Sequence, residues 1–425
     1  MVSPESLSSP RLLTLQQAIA AGNTSALAAF WREVSTQGAP LIERVNHDDQ
    51  HVLVTFLWRA SVQTHNVVLV GNLSDYFGGG HVENNQMLHL PQTDLWYKTY
   101  QVSTDVRTCY LFSPNDTLTE PDNWTAYLAS CQLDPFNTSS YVLPRDEEDP
   151  EDQENCFSVL ELPQAVPQPW ITPRSDIKAG TIELHRLHST LLSNERRIWV
   201  YTPPGYAPEH GPYDLLVLFD GWAYIHLIPT PIILDNLLAE KRLPPLVAVL
   251  IDSLSETVRN RELPCYSPFL AFLTQELLPW LRQRYAITSD PDQTIVAGSS
   301  YGGLAAAFAG LSAPNMFGNV LSQSGALWWK PEEEEEPEWL TKQYAMRERL
   351  PLRWYLDVGT LEEESGYRMV TVNRHLRDVL QAKGYPVQYT EFSGGHEYLS
   401  WRGTLAEGLL ALMGRKQMRV GDGNR

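Results

Sequence analysis

Two rhythms of apolar and polar positions divide the chain. Before the acidic stretch at Arg145, short apolar runs alternate with polar or glycine-rich turns. The runs are His51–Trp58, Val67–Val70, Trp96–Val102 and Arg107–Phe112, with turns such as Asn72-Leu73-Ser74 and Gly78-Gly79-Gly80. Strands of this length and spacing predict a small β-sandwich. Ahead of them, Leu12–Ala20 and Thr24–Glu33 carry apolar residues at helical spacing, broken by Gly22-Asn23, and predict two leading helices.

Later in the chain the rhythm lengthens. Strand patterns at Thr181–Leu187, Arg196–Thr202, Leu215–Asp220, Leu246–Asp252, Thr294–Gly298, Asn319–Gln323, Arg353–Val358 and Val387–Phe392 come to be separated by helical ones. The helical patterns are Ile232–Lys241, Pro268–Tyr285, Gly302–Leu311, Tyr367–Lys383 and Trp401–Met413. Such alternation implies a mostly parallel sheet covered on both faces. The expected fold class is α/β. An α/β-hydrolase domain with an eight-stranded, mostly parallel sheet follows a smaller N-terminal β-sandwich domain with leading helices. Arg145–Asn155 is acidic, and four prolines follow Glu161 within a dozen residues. That composition reads as an extended, solvated linker. The expected domains are 1–160, including the acidic linker, and 175–415. Glu332–Glu336 reads as a solvated loop.

Composition narrows the partners. The formal charge is −19, from 32 Lys+Arg against 51 Asp+Glu, which argues against nucleic acid or an anionic membrane. An anionic ligand would need a locally basic pocket. The four cysteines, Cys109, Cys131, Cys156 and Cys265, form no C-x-x-C pair and read as free thiols in a reducing compartment. Met1–Ser6 has no basic start and no apolar core, so no signal peptide is expected, and cytoplasm is the default. No metal or organic cofactor is implied.

Gly298-Ser299-Ser300-Tyr301-Gly302 matches G-x-S-x-G, entered by an apolar strand and left by a small-residue helix. This is the strand–turn–helix setting of a nucleophile elbow, with Ser300 as nucleophile and flanking glycines allowing a strained turn. A serine hydroxyl needs a base. His396 stands after the last strand, in Ser393-Gly394-Gly395-His396, where the glycines are expected to let the loop bend toward Ser300. The orienting acid should follow the strand ending at Val358. Glu362 is the choice and Glu363 the alternative, and a Ser–His dyad stays open. Asp357 lies inside the strand and would be directed elsewhere. The oxyanion donors expected are the backbone N–H of Tyr301 and that of Gly221 or Trp222.

Further stretches carry a resemblance: VLFDG (Val217–Gly221), RNRELPC (Arg259–Cys265), GSSYGG (Gly298–Gly303), SQSGALWW (Ser322–Trp329) and GGHE (Gly394–Glu397). Together they resemble the enterochelin (enterobactin) esterase family of ferric siderophore hydrolases, within the esterase D-like group. Asp134-Pro135-Phe136-Asn137 is similar to an element of that family's amino-terminal domain. The resemblance implies an ester hydrolase acting on tri-catecholate siderophores, free or carrying Fe3+, with Ser300 and His396 in the family's serine and histidine positions. Arg259 and Trp328 are then the expected substrate contacts, with Arg261, Trp222 and Trp329 as further candidates; arginine stacks on flat rings and offsets charge. The rivals are an esterase for feruloyl or acetyl sugar esters, and a binding protein that keeps the fold without the chemistry.

Overall fold

The computed structural model describes residues 9–61, 63–74, 82–121, 123–150, 152–363 and 366–414. The expected turn at Gly78-Gly79-Gly80 and the segment Met1–Ser6 lie outside them. Two helices lead, Pro10–Ala20 and Ala26–Gln37. A two-sheet sandwich follows. One sheet orders the strands Leu41–Val45, Asp48–Arg59, Leu95–Ser103 and Leu88–His89; the other orders Val67–Gly71, Arg107–Pro114, Asn155–Glu161 and Ser140–Leu143. Val54 and Phe56 from the first sheet pack against Leu69, Phe112 and Leu160 from the second.

The second half forms one eight-stranded sheet. Its strands are β1 (Thr181–Ser189), β2 (Asn194–Thr202), β3 (Asp214–Leu218), β4 (Leu246–Ile251), β5 (Thr294–Ser299), β6 (Asn319–Gln323), β7 (Arg353–Gly359) and β8 (Val387–Phe392). They lie in the order β1-β2-β4-β3-β5-β6-β7-β8. Strand β2 runs antiparallel to both neighbours, and β4, β3 and β5 to β8 are mutually parallel. This is the α/β-hydrolase arrangement. Every residue of β4, β5 and β6 is buried, which is why β4 reads as an unbroken apolar run and β5 as a nearly unbroken one. Among the described residues no helix is long and apolar enough to cross a membrane.

The acidic stretch corrects the expectation of a solvated linker. Asn155–Glu161 is a strand of the sandwich and pairs with Ser140–Leu143, so the acidic stretch falls between two strands of that domain. Asp146 is buried and takes both ends of the Arg197 fork, Nη1 at 2.9 Å and Nη2, while Arg197 Nε reaches Asp252 at 2.8 Å. Glu148 pairs with Arg186. Asp146 and Glu148 are thus matched by arginines on β2 and β1, while Glu147 and Glu154 stay exposed. The two halves share more. Leu399, next to the catalytic histidine candidate, is buried in the sandwich-side cluster of Val68, Val70, Cys109, Leu111 and Phe157, and Tyr141 Oη donates to the Leu227 carbonyl at 3.0 Å.

Asp357, on β7, lies fully inside the core. Loss of water pushes its carboxyl up to about 8, the charge of Glu362 adding to the rise and Thr404 opposing it. Between the unfolded value of about 4 and about 8, the native state holds a proton that the unfolded chain has lost. Stability therefore falls as pH rises through that window. Asp357→Asn removes the effect, so its Tm relative to wild type is expected to be higher at pH 8 than at pH 5. A Tm difference independent of pH, followed by circular dichroism, counts against this account.

Candidate active site

Strand β5 ends in a sharp turn into α1 (Tyr301–Ser312). Ser300 sits at φ 56°, ψ −119°, a conformation that costs a non-glycine residue on the order of 1–3 kcal/mol. The surroundings hold it there. Ser300 N–H donates to Gln323 O at 2.9 Å and its carbonyl accepts from Ala326 N–H at 3.0 Å. Gly298 and Gly303 make the turn possible by close packing. A Cβ on Gly298 would lie 2.6 Å from the Gly302 backbone, and one on Gly303 would lie 2.5 Å from Ser322 Oγ. Gly302 is less constrained, its nearest neighbour being Asp220 Oδ2 at 3.2 Å. Of the glycines, Gly298 and Gly303 therefore carry the tightest packing of the elbow.

Beyond β7 the chain makes a 3-10 turn, Thr360–Glu362. Glu362 is buried, and among the described residues its carboxylate accepts from three donors. Oε1 takes the Ser324 hydroxyl at 2.6 Å and the Gly359 N–H at 2.8 Å; Oε2 meets His396 Nδ1 at 2.7 Å. A carboxylate partner on Nδ1 fixes the tautomer that leaves Nε2 with its lone pair. The Trp401 ring stands edge-on to the imidazole, centroids 4.8 Å apart, and its Nε1–H donates to Ser324 Oγ at 3.0 Å. Glu363 turns away, accepting from the Thr371 N–H at 2.9 Å and hydroxyl at 2.5 Å. The two candidate acids thus part: Glu362 meets the histidine, and Glu363 holds the first turn of the helix Met369–Ala382. Asp357 points into the core, as its position within the strand suggested.

Ser300 and His396 lie on the same C-terminal edge, flanking the end of β6. The His396 hydrogen bonds are Nδ1 to Glu362 and backbone N–H to Asn72 Oδ1 at 3.0 Å. Ser300 Oγ makes no hydrogen bond to Nε2 among the described residues; in unliganded sites such bonds are often long and tighten when substrate arrives. The loop bends at Ser393 and Gly394, and again at His396 and Glu397, but without a left-handed glycine. Neither Gly394 nor Gly395 has a positive φ. A Cβ on Gly395 would instead fall inside the Asn72 side chain, and one on Gly394 would meet Ser400 Oγ at 2.6 Å. These glycines admit close neighbours, one of them from the other domain.

The strand-end loop after β3 lies against the elbow. Asp220, in the left-handed region at φ 54°, precedes the short helix Gly221–His226. A Cβ on Gly221 would meet the β4 backbone at 2.8 Å, so this glycine serves packing on the sheet. The amides of Gly221, Trp222 and Tyr301 all belong to first helical turns, which have no intrahelical acceptor. Arg259 is on a helix the sequence reading missed, Glu256–Glu262. Its fork grips Asp220, Nε to Oδ1 at 2.7 Å and Nη2 to Oδ2 at 2.8 Å, and its guanidinium lies 5.8 Å from the Tyr301 ring centroid. Arg261 pairs with Glu262, which also takes Arg196 in a buried ion pair. Trp328 is half-buried, stacked on Tyr367 at 4.2 Å and 5.9 Å from Tyr301. Trp329 packs on Trp339 and Trp222 on His226. Among the described residues no group of three His, Cys, Asp or Glu side chains is placed to hold a metal ion.

Fold and strand-end chemistry define an α/β-hydrolase, and the chain is a carboxylic ester hydrolase. Residues 189–412 match the family described as putative esterase, and residues 53–171 match the family described as enterochelin esterase, N-terminal. The chain belongs to the enterochelin esterase family. It is 32% identical over 403 residues to the iron(III) enterobactin esterase of Escherichia coli O6:H1, covering 90% of this chain and 96% of that one. The iron(III) salmochelin esterase of the same strain is 28% identical over 421 residues, covering 95% and 98%. The crystal structure of a Shigella flexneri enterobactin esterase, obtained in the presence of enterobactin, aligns with a TM-score of 0.69 at 30% identity, covering 90% and 97%.

Ser324 and Trp401, which brace Glu362 and His396, were missed, although SQSGALWW ends a strand on the edge where such groups gather. The geometry predicts different outcomes for the neighbouring acids. Glu362→Ala is expected to lower kcat by about a hundredfold or more, and Glu363→Ala to leave it within about twofold. Steady-state turnover of an activated ester reads both; a near-normal Glu362→Ala would reduce the site to a dyad.

Proposed function

We propose that this chain hydrolyses the backbone esters of a tri-catecholate siderophore, free or carrying Fe3+ as cargo, with Ser300 as nucleophile, His396 as base and Glu362 as its orienting acid. One observation carries the assignment: the 2.7 Å contact of Glu362 with His396 Nδ1, on the edge where Ser300 is held at φ 56°. In the proposed sequence, His396 Nε2 takes the Ser300 proton as Oγ attacks the ester carbonyl. The oxyanion is held by the N–H of Tyr301 and that of Gly221 or Trp222. Collapse expels the alcohol, which receives the proton from His396. Water, activated by the same imidazole, then frees the acid and Ser300.

The relatives named for iron(III) enterobactin and iron(III) salmochelin support the substrate class. The site suggests how such a ligand is held. Arg259 is balanced by Asp220, so it offers orientation and stacking more than free positive charge. Tyr301, Trp328 and Tyr367 form a run of rings beside the elbow, suited to catechol faces. The match of residues 53–171 to an enterochelin esterase domain weighs against a carbohydrate-binding module and so against the sugar-ester rival. The unpaired cysteines fit a reducing cytoplasm as the place of action.

Ser300→Ala and His396→Ala are each expected to lower kcat by several orders of magnitude, because the parts act as a unit. Products released from iron-free and iron-loaded enterobactin, resolved by chromatography, test the substrate. Intact trilactone after incubation with wild type, alongside rapid cleavage of a simple aryl acetate, would overturn it. Trp328→Ala is expected to raise KM for the siderophore about tenfold while leaving an aryl acetate unaffected; equal changes on both would remove Trp328 from recognition.

A further inference from the structure

The loop that carries His396 is held from outside its own domain. Asn72 follows the sandwich strand Val67–Gly71 and opens the turn Asn72–Ser74. Its Oδ1 accepts the backbone N–H of His396 at 3.0 Å, and its Nδ2 donates to Glu397 Oε2 at 3.1 Å and to Thr108 Oγ1 at 3.3 Å. Two backbone amides of the next sandwich strand join in. Cys109 N–H donates to the same Glu397 oxygen at 3.0 Å, and Arg107 N–H donates to the Ser393 carbonyl at 3.1 Å. Gly395 lies so close to Asn72 that a Cβ would overlap its side chain. On the far side Leu399 is sunk in the sandwich-side cluster. Four successive residues, Ser393 to His396, together with Glu397, thus meet the sandwich through side chains or backbone, whereas inside the hydrolase domain the ring is fixed at Nδ1 and along its edge by Trp401.

We infer that Asn72 is a positioning residue for catalysis, acting through His396: the sandwich domain supplies the clamp that sets where the imidazole stands relative to Ser300. The inference rests on the reading of His396 as the base. The physical reason is leverage. Nδ1 is fixed by Glu362, so the ring can still swing about that contact, and the position of the backbone decides where Nε2 falls. Asn72 fixes the backbone at His396 itself, and through Glu397 it fixes the residue after it. Displacements on the order of 1 Å in such a group can cost about a hundredfold in rate.

The test uses the full chain. Active sites are counted by end-point labelling with a fluorophosphonate, and kcat per labelled site, KM and Tm are measured for Asn72→Ala and for Asn72→Asp combined with Glu397→Gln. The double variant keeps an oxygen for the His396 N–H and reverses donor and acceptor between positions 72 and 397, but it turns an amide NH2 toward the Cys109 N–H, so only a gain over Asn72→Ala is read from it. Asn72→Ala is expected to lower kcat per labelled site by at least about tenfold with KM within about threefold, and the double variant to be faster than Asn72→Ala. A purely structural residue would lower Tm or the labelled fraction without changing kcat per site. A kcat per site within twofold of wild type for Asn72→Ala overturns the inference whatever its Tm. If Asn72→Ala fails to fold, Asn72→Ser, which lacks the amide donor to Glu397, is read against the same thresholds. His396→Ala run in parallel separates the two claims. Retained turnover there removes the base assignment itself, whereas a silent His396→Ala beside a normal Asn72→Ala removes only the clamp.

Discussion

A buried carboxylate must find donors to replace its water, and Glu362 finds three. Meeting that demand organises the whole edge. The Gly359 N–H fixes the turn after β7, the Ser324 hydroxyl fixes the end of β6, and the His396 ring fixes the loop after β8. Ser324 in turn accepts from Trp401, whose ring closes the edge of the imidazole. Removing the carboxylate would leave several donors unmatched at once. The acid is thus as much a structural keystone for three strand ends as an electrostatic partner for one histidine.

Strain at Ser300 is the other half of the arrangement. Its backbone is held by Gln323 and Ala326 on one side and by the close packing at Gly298 and Gly303 on the other. The two glycines let strand and helix approach to a separation that larger residues would forbid. The hydroxyl is lifted above the sheet because the chain beneath it is packed too tightly to relax.

How much of this could be read from residues alone depends on how local each feature is. The eight-stranded, mostly parallel sheet followed from alternation of apolar runs and helical patterns, and the candidates Ser300 and His396 from short motifs. Glu362 and Glu363 could not be separated by spacing. In a 3-10 turn adjacent side chains diverge by about 120°, so which one faces the histidine depends on how the turn is seated. The acidic loop was misread for a related reason. Charge predicts solvation only where no partner waits, and Arg197 waits 51 residues away in sequence from Asp146. Asn72 is the extreme case, 324 residues from His396 and in a different domain, with no local pattern to mark it.

The charge balance bears on how the site can recognise anything at all. An overall charge of −19 repels a trianionic ligand at long range, though salt screens this beyond about 8–10 Å. At short range the Arg259 guanidinium is matched by Asp220 on its bidentate face. Net Coulomb attraction is therefore a weak source of affinity here. Flat rings are a stronger one, since aromatic faces gain from desolvation and stacking whatever the sign of the protein's charge. The guanidinium belongs to the same surface: with its charge balanced by Asp220, it still presents a planar face over Tyr301. Recognition built on planes tolerates a ligand whose charge changes with the presence of iron, because the catechol faces persist in both forms. On the proposed reading, Arg259, Tyr301, Trp328 and Tyr367 are the planes against which catechol faces would lie.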